Sequence, residues 1–381
     1  MADIKTALVV GGGIGGMAAA IGLAERGVAV HLIDLDPEWK VYGAGITITG
    51  PTLRAYQRLG MIDAIKLSGA ITNGTRLFQY DGTWLQDLDE PSLEEGLPAT
   101  GGIMRPDLHR IMQGRVKSLN ISVALGITVQ SLDAVGGVHG GGNGDGVDVR
   151  FTDGGTGRYD LVVGADSIYS KVRDLAFPHM APAQPTGQGC WRISLCRPPG
   201  FDRSEFYLGH KNPAGINACG PDAVYLWMLT PDVGEFIPEA EQADRLQALL
   251  ADFGGNVAWV RDNRDRWTWV NYRPLAAAIQ PRPWSMGRIV LLGDATHATT
   301  PHLASGAGMA VESAIVLADE LARPDASVAQ ALAAYEQRRY ARCHDVVETS
   351  LAVGRLQVAG GSPQAVGGMI GAALHRLADP F

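Results

Sequence analysis

The chain has 381 residues, of which 46% are apolar and 19% charged, as in a folded globular protein with room for two domains. Its formal net charge is −8, it has no block of Lys and Arg, and no apolar run reaches the roughly 18 residues that a membrane span needs. These features argue against nucleic acid and membrane partners. The four cysteines have neither CxxC nor zinc-ligand spacing, and the N-terminus does not resemble a signal peptide, so we expect a cytoplasmic protein with reduced thiols.

The first element predicted is a strand over Thr6 to Val10 (TALVV), a continuous apolar run typical of a strand buried on both faces. The following segment GGGIGGMAAAIGLAERG predicts a helix that ends at Gly27, and VAVHLID (28–34) predicts a second buried strand. Strand, helix and strand within about 30 residues form a βαβ unit.

The turn of this unit has the pattern G-x-G-x-x-G, with glycines at Gly11, Gly13 and Gly16. The first glycine permits a tight turn, the second lets a pyrophosphate approach the backbone, and the third lets helix pack on strand. Asp34 ends the second strand 18 residues after Gly16, where its carboxylate can accept hydrogen bonds from a ribose. The unit therefore predicts a dinucleotide site without indicating which dinucleotide.

Along the rest of the chain the predicted secondary structure changes type twice. A helix is predicted from Arg105 to Leu119, and DLVVGAD (160–166) predicts another buried strand. From about 186 to 275, short runs of Trp, Tyr and β-branched residues between Pro and Gly breaks indicate antiparallel sheet. RIVLLGD (288–294) returns to the buried-strand pattern, and helices follow to the end. We predict an α/β domain interrupted by a β-rich insertion.

The segment GDATHATTPHLASGAG (293–308) admits two interpretations. Asp294, His297 and His302 carry atoms that could bind a metal. Alternatively, Asp294 lies under a polyhydroxy chain such as ribityl, and the glycine-rich helix start offers free N–H groups to a flat, electron-rich ring.

Three motifs in order bear on that choice: GGGIGG with Asp34, DLVVGADSIYSKVR (160–173) and GRIVLLGDATHATTPHLASGAG (287–308). Together they resemble the para-hydroxybenzoate hydroxylase-like family of single-component FAD-dependent aromatic hydroxylases, the group A flavoprotein monooxygenases. The resemblance implies a Rossmann-like FAD-binding domain with a parallel sheet, interrupted by a β-rich substrate domain and followed by helices at the C-terminus. It favours the flavin interpretation of the third motif over the metal site.

The expected domain pattern alternates along the chain. Residues 1–75, 105–185 and 281–381 would form the FAD-binding part with the C-terminal helices, and residues 76–104 and 186–280 would form the substrate domain.

The resemblance also implies the residues that bind FAD: Gly11, Gly13, Gly16, Asp34, Gly45, Arg105, Val129, Asp166, Asp294, Gly306, Ala307, Gly308 and Met309. In this scheme the backbone of Val129 contacts adenine and Asp294 binds ribityl. Two departures occur, because the family's Asp-Gly motif is Asp166-Ser167 here and its G-Q-G-x-N motif is ASGAG (304–308). Ser167 alters the motif that the family links to FAD and NAD(P)H binding, so the NAD(P)H step is the one it affects. The ASGAG segment lacks the motif's side-chain contacts with the cofactor but keeps the backbone contacts.

The reaction implied by the resemblance is reduction of FAD by NADH or NADPH, followed by O2 addition at the flavin C4a. The resulting hydroperoxide would hydroxylate a phenol or a hydroxy-N-heteroaromatic ring. Such a ring reacts faster when deprotonated, so a general base is expected on the β-rich insertion.

The first candidate for this base is His210, whose pKa suits proton transfer near neutrality, although a structural histidine is the alternative. Arg192 could bind a substrate carboxylate or form an ordinary ion pair. Tyr207, Tyr225 and Trp227 are candidates for the pocket wall or for sheet packing. Pro301 would border the flavin ring.

Two other functions are weighed against hydroxylation. Trp267-Thr268-Trp269 is similar to half of the tryptophan motif of flavin halogenases, but Asn271-Tyr272 stands where Ile-Pro should follow. A non-enzymatic flavin or NAD sensor is the second alternative. The expected partners of the enzyme are a small aromatic substrate and O2, and the chain would be a monomer or a homodimer.

Overall fold

The computed structural model describes residues 3–41, 43–134, 146–209 and 211–381, so His210 lies outside the described residues. The strands in these ranges are β1 (Thr6–Val10), β2 (Ala29–Asp34), β3 (Gly45–Thr49), β4 (Ala70–Thr72), β5 (Gly74–Gln79), β6 (Trp84–Asp89), β7 (Thr100–Met104), β8 (Ser122–Leu125), β9 (Val129–Ala134), β10 (Val147–Phe151), β11 (Thr156–Tyr159), β12 (Leu161–Gly164), β13 (Gln184–Cys196), β14 (Ser204–Leu208), β15 (Ala214–Ala218), β16 (Ala223–Pro231), β17 (Trp267–Ile279), β18 (Ser285–Met286) and β19 (Ile289–Leu291).

The helices of the same ranges are α1 (Ile14–Ala24), α2 (Gly50–Arg58), α3 (Ile62–Ser68), α4 (Arg105–Ser118), α5 (Lys171–Ala176), α6 (Glu239–Leu249), α7 (Gly255–Asp262), α8 (Asp294–His297), α9 (Gly306–Leu321), α10 (Val328–Val358) and α11 (Pro363–Leu377). Short 3-10 turns span Arg264–Arg266 and Pro301–Leu303. None of the helices within the described ranges is long and apolar enough to cross a membrane.

A six-stranded sheet forms the centre of the first part, in the order β18-β19-β12-β1-β2-β8. Its neighbouring strands run parallel, except that β18 pairs antiparallel with β19. In β1, the residues from Ala7 to Val10 are all buried, as the apolar run predicts. Helix α1 leaves the glycine turn and packs against α9, which brings the first and last motifs of the chain together.

A seven-stranded sheet forms the second part, in the order β17-β13-β16-β15-β14-β5-β6. Its pairs are antiparallel, except that β14 runs parallel to β5. One face is covered by α6 and α7 through an apolar core that includes Ile193, Leu226, Leu246 and Val257. The opposite face turns toward the FAD-binding part.

Two smaller sheets complete the strands, in the orders β11-β10-β9 and β3-β7-β4. Strand β7 thus pairs with β3 and β4, whereas β5 and β6 join the large sheet. Serines cap the last two helices; Ser327, the residue before α10, exchanges hydrogen bonds with Gln330 in a capping box, and Ser362 caps α11. The fold class predicted from the sequence is confirmed: a Rossmann-like parallel sheet, a strand-rich insertion and a helical C-terminus.

Candidate active site

The glycine turn after β1 is shaped by two close contacts and one open space. Gly11 has φ of +105°, and a Cβ there would lie 2.4 Å from the carbonyl oxygen of Ala165. A Cβ on Gly16 would lie 1.8 Å from the carbonyl oxygen of Gly11. By contrast, a Cβ on Gly13 would meet no atom within 4 Å. Packing therefore requires the outer two glycines, whereas Gly13 leaves free space at the N-terminus of α1, where an anion is stabilised.

Asp34 holds the other side of this turn. One carboxylate oxygen accepts a hydrogen bond from the Gly12 N–H at 2.6 Å, and the other accepts one from the Asp36 N–H at 2.8 Å. The side chain is only half-buried at the end of β2, so its remaining lone pairs can accept ribose hydroxyls.

Trp39 is a contributor to the turn that the sequence did not indicate. Its indole N–H donates to the Gly12 carbonyl at 2.9 Å, and its ring meets His109 edge to face at 5.7 Å. Trp39 is 8% exposed and has φ of +48°, an uncommon conformation for a bulky residue. We infer that Trp39 fixes the backbone of the glycine turn.

The flavin side of the site is formed around Asp294 and Arg105. Both side chains are exposed to solvent, but each is surrounded by many protein atoms. We infer that both line a cleft. Burial within the cleft raises the pKa of the Asp294 carboxyl, and the positive charge of Arg105 opposes this shift. The cleft therefore offers a carboxylate and a guanidinium to the same occupant.

Helix α9 presents its N-terminus beside this pair. No side chain caps the helix, so the first N–H groups at Gly306 and Ala307 are available to a bound group. A Cβ on Gly308 would lie 2.1 Å from the Thr52 hydroxyl oxygen, which shows how closely the helix packs on α2.

The two departures from the family motifs both fall where the backbone is left-handed. Ser167 has φ of +72° and Ala304 has φ of +48°. Glycine adopts this conformation without steric cost, which explains the glycine of the family motifs at these positions. This chain adopts the left-handed conformation at both positions with a serine and an alanine.

Asp166 caps helix α5. Its carboxylate accepts hydrogen bonds from the Ser170 hydroxyl at 2.5 Å and from the N–H groups of Lys171 at 2.6 Å and Val172 at 3.0 Å. These bonds assign the carboxylate a structural task, and a contact with a dinucleotide stays a prediction.

The wall opposite the flavin side comes from the large sheet. Register pairs Arg192 of β13 with Trp227 of β16, and places Tyr225 and Trp269 on the same face. The Tyr225 hydroxyl lies 2.6 Å from the Thr47 hydroxyl oxygen on β3, which ties this wall to the FAD-binding part.

Trp269 belongs to this wall although the sequence indicated it only as part of a halogenase-like motif. A Cβ on Gly43 would lie 3.7 Å both from the Trp269 ring and from Cδ of Arg105. The backbone at Gly43 therefore lies next to both the Trp269 ring and the Arg105 side chain.

The cleft holds two guanidinium groups against the single Asp294 carboxylate. Burial and, after it, the nearby charge of Arg192 lower the pKa of Arg105, whereas Asp294 opposes this shift, so all three charged groups lie near one another. Among the residues that the structure describes, neither Arg105 nor Arg192 forms an ion pair or a side-chain hydrogen bond. Two such cations facing one cleft indicate an anionic occupant.

Tyr207 requires a correction. Its strand neighbours place it on the face covered by α6 and α7, opposite to Arg192 and Tyr225. It is 1% exposed, stacks on Phe78 with ring centroids 5.0 Å apart and donates a hydrogen bond to Glu205 at 2.7 Å. The expectation of Tyr207 in the pocket wall is not met, because the strand pairing turns its side chain into the core.

The two histidines of the third motif form hydrogen bonds with other side chains of the protein. The His297 imidazole contacts the Ser313 hydroxyl at 3.2 Å, and burial lowers its pKa to about 4. His302 bonds to the Thr300 hydroxyl at 2.7 Å and to the Gln357 side chain at 3.1 Å. No three His, Cys, Asp or Glu side chains within the described ranges cluster as metal ligands would.

Three further residues predicted for the site lie at the ends of strands or in a turn. Val129 begins β9 and is fully buried, so only its backbone could reach adenine, and Pro301 begins a half-exposed turn between the cleft and α10. Gly45 packs under Tyr225, since a Cβ there would lie 2.3 Å from that ring.

Comparison with known proteins decides the family. The family model described as FAD binding domain matches residues 4–350. The chain belongs to this FAD-binding family. The resemblance predicted from the three motifs is therefore confirmed, and with it the FAD cofactor and the class of FAD-dependent monooxygenases.

Relatives extend over nearly the whole chain. YetM of Bacillus subtilis (strain 168), a proposed FAD-dependent monooxygenase, is 30% identical over 360 residues, covering 94% of this chain and 95% of YetM. The 2-heptyl-3-hydroxy-4(1H)-quinolone synthase of Pseudomonas aeruginosa (strain UCBPP-PA14) is 31% identical and covers 92% of this chain and 89% of the synthase. Klebsiella pneumoniae HpxO, solved with FAD and uric acid, has the same fold, with a TM-score of 0.80, 22% identity and coverage of 99% and 97%.

The residues of this FAD-binding family member fit the cofactor. The free space at Gly13 would accommodate the pyrophosphate, the half-buried Asp34 carboxylate would accept ribose hydroxyls, and Asp294 with the α9 N-terminus would hold the flavin half. FAD supplies the redox chemistry when it is bound.

Replacing Asp294 tests this assignment. We expect Asp294→Ala to weaken FAD binding by about 10- to 150-fold, because a hydrogen bond to a charged acceptor contributes about 1.5–3 kcal/mol. Titration of the apoprotein with FAD, followed by flavin fluorescence, measures the Kd. Asp153→Ala, in the exposed turn after β10, is the control and should bind FAD as the wild type does. An Asp294 variant with an unchanged Kd would remove this residue from the site.

Proposed function

We propose that this enzyme hydroxylates an electron-rich aromatic ring, a phenol or a hydroxy-N-heteroaromatic, with FAD, NADH or NADPH, and O2. The observation that carries the proposal is the cleft between Asp294 and the large sheet, which has aromatic walls and two unpaired cations, Arg105 and Arg192. Trp227 and Trp269 offer flat apolar surfaces to a ring, and the cations suit an anion formed when a ring hydroxyl loses its proton.

The relatives support the same chemistry. One is named as a synthase of a hydroxylated quinolone, and HpxO was solved with uric acid, so both names concern nitrogen heteroaromatics. A hydroxy-N-heteroaromatic is therefore the first substrate class to test. Neither halogenation nor a non-enzymatic sensor has comparable support.

Individual residues take distinct roles in this proposal. Arg192 binds an anionic group of the substrate, either a ring carboxylate or the deprotonated ring oxygen. Tyr225, fixed by Thr47, holds the ring against the wall. Pro301 borders the flavin ring, and His210 removes the substrate proton.

The proposal is tested with the FAD-loaded protein and a panel of phenols and hydroxypyridines. A true substrate should stimulate NADH or NADPH oxidation and appear with one added oxygen by mass spectrometry. Catalase and a peroxide assay separate hydroxylation from uncoupled reduction of O2. An enzyme that consumes NAD(P)H equally with and without every aromatic compound, and forms no hydroxylated product, would contradict the proposal.

The role of Arg192 gives a sharper expectation. Arg192→Met should raise the Kd of anionic ring ligands by about 10- to 150-fold, because a charge-assisted hydrogen bond is worth about 1.5–3 kcal/mol. The Kd of uncharged analogues should change little, and the FAD content should not change. Flavin difference spectra measure both ligand classes. Arg150→Met, an exposed arginine on β10, is the control. An equal rise in Kd for charged and uncharged ligands would show that Arg192 has a structural role and does not bind the anionic group.

A further inference from the structure

A second cavity adjoins the candidate active site. It has a volume of about 280 Å³ and lies between β13, the end of β17, the turn at Pro301 and helix α10. Much of its lining can form hydrogen bonds, including the side chains of Gln188, Thr300, His302, Ser350 and Arg355. A cavity of this size accommodates part of a small organic molecule.

Two of the lining side chains form no hydrogen bond with the described residues. Gln188 is 4% exposed, and its side chain lines the open space of the cavity. Ser350 is fully buried, and its hydroxyl finds no partner in the described ranges. An unpaired buried polar group costs about 1–3 kcal/mol, so the Ser350 hydroxyl indicates a polar occupant, and the Gln188 amide is available to the same occupant.

The neighbouring groups hold this arrangement in place. His302 uses both ring nitrogens, toward Thr300 and toward Gln357, and is therefore a fixed wall. Gly354 lies within α10 beside the cavity, and a Cβ there would lie 2.4 Å from the Gln188 side-chain oxygen. The glycine thus leaves the Gln188 amide room beside the cavity.

The open side of the cavity carries a cation. Arg355 is exposed, and within the described part of the chain it forms no ion pair. It lies one residue beyond Gly354 on the helix that closes the cavity. An anionic group that enters past Gln188 would meet this guanidinium.

The cavity shares two walls with the candidate active site. Thr300 and His302 flank Pro301, which would border the flavin ring. Gln188 lies on the same face of β13 as Arg192, with only Cys190 between them on that face. Four residues of strand span about 13 Å, a distance that a ring with a short side chain can cover.

We propose that this cavity receives a ring substituent of the aromatic substrate, and that this substituent is polar and ends in an anionic group such as a carboxylate. The Gln188 amide and the Ser350 hydroxyl bind its polar atoms, and Arg355 binds the charge. The inference rests on the proposed function and narrows its substrate class to rings with an acidic side chain.

Three phenols test the inference on the FAD-loaded enzyme: phenol, 4-propylphenol and 3-(4-hydroxyphenyl)propionate. The last two have side chains of the same length and differ in the carboxylate. Flavin difference spectra should give a Kd about 5- to 30-fold lower for the propionate than for 4-propylphenol.

Variants then locate the carboxylate. Arg355→Gln should weaken propionate binding by about 2- to 5-fold, and Gln188→Leu by about 3- to 10-fold. Neither should weaken binding of 4-propylphenol. Arg150→Gln is the control for loss of a surface cation. Arg355 and Arg150 are both exposed, so their replacement does not endanger folding.

The outcomes separate the inference from the proposed function. NAD(P)H oxidation stimulated by all three phenols, with no preference for the propionate or with an unchanged preference in the Arg355 and Gln188 variants, overturns the inference and leaves hydroxylation intact. No stimulation by these phenols or by the corresponding hydroxypyridines contradicts the proposed function itself.

Discussion

Gly13→Val should abolish FAD binding while leaving the fold intact. A Cβ at Gly13 meets no protein atom within 4 Å, so we expect a valine there to be tolerated in the protein alone. The same space is where the pyrophosphate must approach the backbone at the N-terminus of α1. We expect a loss of at least about 2.7 kcal/mol, or about 100-fold in Kd.

The measurement compares two properties of the purified variant. Gel filtration should yield colourless protein, and thermal unfolding should match that of the wild-type apoprotein. Gly367→Val is the matched control, since a Cβ there also meets open space but on the exposed surface of α11. A Gly13 variant that retains yellow colour would show that the first glycine motif does not hold the pyrophosphate.

This prediction depends on a part of the fold that local sequence determines. The apolar run of β1, the glycines and Asp34 lie close together in the chain, and each has one role in a βαβ unit. The helix predicted from Arg105 to Leu119 is observed as Arg105–Ser118 for the same reason, since its apolar spacing is local.

For the large sheet, the sequence predicted that this part of the chain forms a β-sheet, but it did not predict how the strands pair. Its strand composition indicated β structure, but the sequence did not show that β5 pairs in parallel with β14, a strand more than a hundred residues later. Such pairings depend on tertiary packing and leave no local pattern.

The same limit explains the error at Tyr207. Side chains alternate between faces along a strand, so the face of a tyrosine depends on the register of every neighbouring strand. Tyr207 lies on β14, whose partners are β15 on one side and the distant β5 on the other, and the sequence indicated neither register. Tyr225 faces the cleft and Tyr207 faces α7, although both lie in aromatic strand patterns.

Trp39 and Trp269 were missed for a related reason. Each lies against a segment distant in the chain, Trp39 on Gly12 and Trp269 near Gly43. A tryptophan in sequence carries no sign of such a contact. The cation pair in the cleft was similarly hidden, because Arg105 and Arg192 come from separate segments.

His210 provides the second large effect, and its role is a proposal from the sequence. We expect His210→Ala to leave FAD content unchanged, because the residues proposed to bind FAD lie elsewhere in the chain. Hydroxylation should fall by about 10²–10⁴-fold, the usual cost of losing a general base. A histidine base with an ordinary pKa near 6.5 is deprotonated and active above that pH, so the wild-type rate should rise as the pH increases through this range.

The pH dependence separates a base from a structural histidine. Without His210, only substrate that has already lost its proton can react, so the deficit of the variant should shrink as the pH approaches the substrate's own pKa. Below that pH, more of the NAD(P)H consumed should end as hydrogen peroxide, because the neutral ring is a poor acceptor of oxygen. His375→Ala, on the exposed surface of α11, is the control and should match the wild type in rate and coupling. A His210 variant with a constant deficit at every pH and unchanged coupling would show that His210 does not deprotonate the substrate, and Tyr225 would then be the next residue to test.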